Sequence, residues 1–276
     1  MGGLSKKAFS IKELASKQAK PGLVLDSGNL LFKADSLPPE GLAKAKITAE
    51  GILKAYQTMG GAFAGIGNRD LAAGTSFLRG SHKPPEFAWL SLNLVDPASR
   101  KPLFAPWLLR EVNGLRLAIL ALTDHTVIKT EAREYRVLPW QEVLPQALRQ
   151  IEGKADVIVL LSNYSFVENK EIARAHGNVD LLFQSGHVAG NMHPIVINQT
   201  LIAQTDSRGR YLGLLELNWN GRGRWSGMVT PTATTGDRSP TTFAGRFIAL
   251  SPSIANDPQA EAIVQQTKRR LEGGKQ

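Results

Sequence analysis

The sequence predicts an α/β protein, and three observations carry that prediction. Short apolar runs alternate with helix-spaced amphipathic segments through the first two thirds of the chain. Several of those runs open into small and polar residues: Asp26-Ser27-Gly28-Asn29, Gly67-Asn68-Arg69-Asp70, Ser162-Asn163 and Ser185-Gly186-His187. Loops at strand C-termini are where α/β folds place ligand sites. From Pro194 onward, apolar runs follow one another without intervening helices, which predicts an antiparallel sheet packed on the α/β core.

Taken in order, Phe9, Ile11, Leu14 and Ala15 fall at helical spacing, so residues 6–18 read as an amphipathic helix that Pro21-Gly22 ends. Leu23–Asp26 is a short buried strand. Residues 36–45 read as a Pro- and Gly-containing loop, and Thr48 as the N-cap of a helix running to Met59. Ala62–Ile66 is the next strand, followed by Trp89–Leu94, Trp107–Val112 and Leu115–Leu122, the last two turning at Asn113-Gly114. Helices are expected at Pro139–Glu152 and Glu168–Ala175, strands at Asp156–Leu161 and Val179–Phe183. Pro194–Ile197, Leu201–Gln204 and Tyr211–Trp219 follow, with a turn at Asn220-Gly221 into Arg224–Thr230. The tail holds a strand-like run at 242–250 and a helix at 258–272, with Asp257 as N-cap and Pro258 at its first position.

Composition removes several function classes. With no Cys among 276 residues, disulfides, thiolate zinc sites, iron–sulfur clusters and Cys nucleophiles are out. The 42% hydrophobic and 21% charged content is an ordinary globular balance. No apolar run reaches the roughly 18 residues of a membrane span, and Met1–Lys7 lacks the apolar core of a leader. The net charge of +9 collects at the two ends: residues 1–54 hold 9 basic and 5 acidic side chains, residues 221–276 hold 8 and 4. Nucleic-acid binders concentrate charge in one stripe with interleaved aromatics, so a nucleic-acid partner is not expected. No phosphate-cradling loop and no nucleophile-elbow motif is present.

Taken together, the strand-end loops resemble those of the calcineurin-like metallophosphoesterase superfamily, in the branch of the periplasmic 5′-nucleotidases. Asp26–Leu31 is similar to that family's "Asp-x-Gly-Asp" loop. Gly67-Asn68-Arg69-Asp70 is similar to "Gly-Asn-His-Glu/Asp", Val157–Asn163 to the "Leu-Ser-His" strand, and Asp180–His187 to the strand ending in "Gly-His-x-His". The resemblance covers about residues 4–231 in the family order. It implies a layered sandwich of two mixed β-sheets flanked by helices, with residues 1–231 as the domain and 232–276 as a C-terminal connector.

The family's chemistry uses two metal ions held by oxygen and imidazole ligands around a shared hydroxide. Position by position, this chain departs from that set. The bridging Asp is Asn29, the His after Asn68 is Arg69, the next His is Asn163, and the residue two beyond His187 is Ala189. Asn68 and His187 keep the family identity. The family's first strand, with its Asp-x-His motif, has no counterpart before Leu4. The resemblance therefore implies a vestigial site of Asn29, Asn68, Arg69, Asp70, Asn163 and His187, with no catalytic residue and no cofactor. Asn68 and His187 are the weak metal candidates. His187 reads either as a relic ligand or as a strand-end His bonded to backbone. Arg69 reads either as an anion or phosphate contact or as the partner of Asp70 or Asp26. Asp124, His125 and His193 offer a rescue site for one metal, or are surface loop residues.

The expected function is a binding or interaction module built on a degenerate 5′-nucleotidase-like domain. The alternative is a metal-dependent phosphoesterase using a single divalent ion or an externally completed site. The resemblance also implies an extracytoplasmic home in the periplasm or cell envelope. The absent first strand leaves a gap in the sheet, to be filled by 242–250 or by a strand of a second protomer in a homodimer.

Overall fold

The computed structural model describes residues 3–17, 22–81, 83–127, 134–185, 190–207, 209–222, 225–227 and 240–273. Helix α1 (Leu4–Lys17) leads to strand β1 (Val24–Asp26), helix α2 (Pro39–Gln57) and strand β2 (Ala62–Gly65). A 3-10 turn at Asn68–Ala73 and helix α3 (Thr75–Gly80) lead to β3 (Phe87–Leu90) and β4 (Leu94–Val95). The hairpin β5 (Trp107–Val112) and β6 (Leu115–Leu122) turns at Asn113 and Gly114, both with positive φ. Asn-Gly is favoured there because its φ values match the strand twist. Next come β7 (Arg136–Val137), α4 (Trp140–Ile151), β8 (Val157–Ser162), α5 (Phe166–Ala175) and β9 (Leu181–Gln184). The last part holds β10 (Met192–Ile197), β11 (Thr200–Gln204), β12 (Tyr211–Asn218), β13 (Trp225–Gly227), β14 (Thr241–Ala249) and α6 (Pro258–Gly273).

One layer is the mixed six-stranded sheet β10-β11-β9-β8-β6-β5, with β6, β8, β9 and β11 parallel. Its outer face is covered by α4 and α5, whose Leu144, Leu148, Ile151 and Ile172 pack on Leu120, Ile158 and Leu160. Its inner face meets two smaller sheets, β1-β2-β3 and β12-β14-β13, through Phe63, Leu90, Ile119, Val159 and Leu161. The layers approach closely at Gly65, where a Cβ would lie 3.3 Å from Ala121 Cβ and 3.4 Å from Leu161 Cβ. Parallel β8 is buried along its whole length, as a strand covered on both faces must be.

Helices α1, α2 and α6 cover the outer face of β1–β3, around Leu53, Tyr56, Phe87 and Trp89. The predicted cap of α6 is present: Asp257 Oδ1 accepts from Ala260 N at 2.9 Å, and Lys12 Nζ lies 2.7 Å from Asp257 Oδ2. That carboxylate therefore anchors α6 to α1 as well as starting it.

Several expectations change. The segment read as a loop at 36–45 is largely helix, because α2 starts at Pro39. Proline's fixed φ suits the first helical position, and the Ala and Lys residues that follow favour helix. Thr48 is then interior and bonds Lys44 O instead of capping. The run Trp89–Leu94 breaks after Leu90 and resumes as β4, where Asn93 turns its amide onto Thr123 O and Leu138 O. The antiparallel pair β10–β11 extends the large sheet rather than starting a second one. Finally, β12 and β13 are not a hairpin, since β14 lies between them, antiparallel to β12 and parallel to β13. The run at 242–250 is thus a strand inside a C-terminal sheet, and it does not lie beside β1. Residue 231, the expected domain boundary, and most of Arg224–Thr230 lie outside the described residues.

Candidate functional site

The C-terminal ends of β1, β2 and β8 deliver Asn29, Asn68 and Asn163 to one place. Asn29 sits at φ 60°, a left-handed conformation that Asn tolerates better than most residues. Gly28 before it, at φ 100°, and Gly67 across from it make the approach feasible. A Cβ on Gly67 would run into the amide oxygen of Asn29, and one on Gly28 would lie 2.6 Å from Gly67 N. The two loops are therefore pressed backbone to backbone.

Asparagine amides then tie the loops together. Asn29 Oδ1 accepts from Arg69 N at 3.0 Å, and Asn163 Oδ1 accepts from Asn68 N at 3.0 Å. Asn163 Nδ2 donates to Ser185 Oγ at 2.9 Å, drawing in the end of β9. Asp70 lies beneath this layer, fully buried, and accepts from Asn29 N (2.7 Å), Leu31 N (2.8 Å) and Gly67 N (2.9 Å). Burial pushes its carboxyl up to about 7, against the opposing pull of those backbone donors.

The second carboxylate, Asp26, accepts from Gly28 N at 3.0 Å and from Tyr56 OH at 2.9 Å. Lys7 Nζ donates to the same phenol at 2.8 Å. Burial lowers the Lys7 ammonium and raises the Tyr56 phenol, the latter with help from the Asp26 charge. This Lys7–Tyr56–Asp26 chain was not legible in the sequence, because its members come from three separate elements with no motif spacing.

Of the two readings of Arg69, pairing with Asp70 or Asp26 is not seen among the described residues: the side chain is exposed and lies at the cleft beside Asn29. His187 lies outside the described residues. The rescue residues do not converge. Asp124 is buried and accepts from Thr126 N (2.8 Å) and Thr126 Oγ1 (2.7 Å), correcting its reading as a surface residue. His125 Nδ1 is 2.7 Å from Tyr164 OH, and His193 packs edge-on against Phe247.

A metal pair needs oxygen or nitrogen donors turned toward a common point, several of them anionic. Here the amide oxygens of Asn29 and Asn163 and the carboxylates of Asp26 and Asp70 all accept from the protein's own donors. Asn68 Oδ1 is the one buried side-chain polar atom without a partner among the described residues, and it is neutral. No group of three His, Asp or Glu side chains arranged for a metal occurs among the described residues. The donor set as described does not fit a dinuclear centre.

A layered sheet sandwich with strand-end loops gathered at one edge is the architecture of the calcineurin-like metallophosphoesterases, and this chain has that fold. No family model matches the sequence. The chain is 26% identical over 136 residues to the uncharacterized metallophosphoesterase YunD of Bacillus subtilis, covering 48% of this chain and 29% of YunD. It is 31% identical over 103 residues to the 2′,3′-cyclic-nucleotide 2′-phosphodiesterase/3′-nucleotidase of Yersinia enterocolitica, covering 36% of this chain and 16% of that protein. Among solved structures, the sulfate thiohydrolase SoxB of Thermus thermophilus superposes with a TM-score of 0.78 at 17% identity, over 99% of this chain and 48% of SoxB. The calcineurin-like phosphoesterase YfkN of Bacillus subtilis gives a TM-score of 0.73 at 15% identity, over 99% of this chain and 91% of the solved YfkN chain. The sequence matches thus span less than a third of either curated relative's length.

Proposed function

We propose that this chain is a catalytically degenerate metallophosphoesterase-fold domain that works as a binding or interaction module. One observation carries the reading: the carboxylates and amides at the strand ends are engaged in hydrogen bonds that join the loops to one another. A hydroxide-generating metal pair needs those same atoms as ligands. The exposed guanidinium of Arg69, without an ion pair among the described residues, favours a small anion such as phosphate as ligand at the cleft, held without a metal ion. The likeness to nucleotidases supports an extracytoplasmic setting, and among the described residues no helix is long and apolar enough to cross a membrane.

The test is hydrolysis. Purified protein with Mn²⁺, Zn²⁺ or Mg²⁺ is expected to leave nucleotide monophosphates and bis-aryl phosphates at the buffer rate. Metal-dependent turnover that disappears in both Asn68→Ala and His187→Ala would overturn the reading. Inorganic phosphate is expected to bind by calorimetry and to lose affinity in Arg69→Ala.

A further inference from the structure

Three lysines of α1 meet different surroundings. Lys6 Nζ donates to the carbonyl oxygens of Pro252 and Ile254, and Lys12 is held by the Asp257 carboxylate. Lys7 instead bonds a phenol: its Nζ lies 2.8 Å from Tyr56 OH and 5.1 Å from the centre of the Tyr56 ring. Tyr56 OH donates in turn to Asp26 Oδ2 at 2.9 Å. The acid in this chain therefore reaches the amine only through the phenol, and among the described residues Lys7 forms no ion pair. Burial lowers the ammonium more than the Asp26 charge raises it. A lysine desolvated in this way carries a lone pair near neutral pH and is a nucleophile. Lys7 is also partly exposed, which leaves the amine open to a compact electrophile.

We propose that Lys7 is an acyl-acceptor site, modified by small acyl phosphates, with Tyr56 and Asp26 as the relay that removes its proton. The Nζ lone pair forms a bond to the acyl carbon. The bond from that carbon to the phosphate oxygen breaks with its electron pair, and phosphate leaves. One nitrogen-bound proton passes to the Tyr56 oxygen while the phenol's own proton passes to Asp26 Oδ2, which later gives it to water. The product is a neutral amide at Lys7. General-base help of this kind requires donor and acceptor within hydrogen-bond reach, and both links of the chain meet that condition. The site is independent of whether the strand ends bind metal, since neither Asn68 nor His187 takes part in it.

Site-resolved acetylation tests this. The protein is incubated with acetyl phosphate across neutral and alkaline pH, and acetylation at each lysine is followed by peptide mass spectrometry. Lys44, Lys54 and Lys268, all exposed, serve as internal references. Each unit by which an amine is lowered raises its neutral fraction about tenfold near neutral pH. Lys7 is therefore expected to react at least about tenfold faster than the references at about pH 7 and to level off at lower pH than they do. The groups facing Lys7 are Tyr56 of α2 and Asp26 of β1, with Asp70 acting on Tyr56. The Tyr56 phenol is raised well above its ordinary value, so the early levelling belongs to Lys7. Tyr56→Phe keeps the ring and breaks the relay, and is expected to remove the advantage of Lys7 while leaving the references unchanged. Acetylation of Lys7 no faster than the references, or a profile that levels with theirs, overturns the proposal. So does a cooperatively melting Tyr56→Phe protein that keeps the advantage; if that variant does not fold, the wild-type profile decides.

Discussion

At the residue scale, Asn29 and Asn163 act as hydrogen-bonded staples, each an amide oxygen on one loop accepting a backbone N–H from another. The Asn163 bond is part-buried, so removing that acceptor leaves the Asn68 N–H poorly paired, which costs about 1–3 kcal/mol. Asn163→Ala is therefore expected to lower the unfolding free energy measured in urea by that amount, whereas Asn163→Asp keeps the acceptor and is expected to lose less. Equal losses in the two variants would show that the oxygen is not what matters. Asp70 makes a pH prediction. Its folded value of about 7 exceeds the ordinary carboxylate value of 3.8, so the folded state holds this proton more tightly than the unfolded one. The associated stability is complete below the unfolded value and is lost as pH rises toward 7. The stability of the wild type relative to Asp70→Asn is expected to fall between about pH 4 and pH 7, by up to about 1.4 kcal/mol per unit, and then level. A flat difference would mean that the backbone donors hold the carboxylate ionised.

At the element scale, what the sequence disclosed depended on whether a segment's fate is local. β6 beyond Arg116 and β8 are apolar runs with clear stops, and the limits of both strands are readable to within a residue or two. The start of α2 was obscured because Pro38, Pro39 and Gly41 read as loop residues, yet proline at a helix start is compatible with helix. The place of β14 was invisible for a different reason: strand order is set by pairing across the fold, here Leu217 with Phe243 and Leu215 with Gly245. The strand ends at Asn68 and Asn163 were legible from loop chemistry, whereas their bonds to partners 95 residues apart in sequence were not. Another long-range bond yields a prediction. Arg222 clamps Asp180 through Nε–Oδ1 at 2.9 Å and Nη2–Oδ2 at 3.0 Å, and Asp180 also accepts from Ile158 N. Arg222→Met leaves a buried carboxylate facing no cation and is expected to destabilise by about 2 kcal/mol or more. Asp180→Asn in the same background should recover part of that loss in thermal melts.

At the scale of the whole molecule, the C-terminal segment belongs to the fold. β14 is the middle strand of its sheet, and α6 packs on both α1 and α2, with Arg270 Nη1 2.8 Å from Glu50 Oε2. Gly51 admits α6 closely, since a Cβ there would collide with Thr267. Deleting residues 240–276 strips the partners of β12 and β13 and uncovers the outer helices, so the 1–239 fragment is expected to show no cooperative melt by circular dichroism. A cooperative, monomeric fragment would show that the remaining sheets suffice. At the edge where the strand ends meet, amide oxygens and backbone donors join the loops to one another, and the proposed degenerate function rests on that junction. Its most direct test is metal stoichiometry, measured by elemental analysis after saturation with Mn²⁺ or Zn²⁺ and exhaustive dialysis. The account predicts well under one ion per chain, and one or two retained ions that depend on Asn68 and His187 would contradict it.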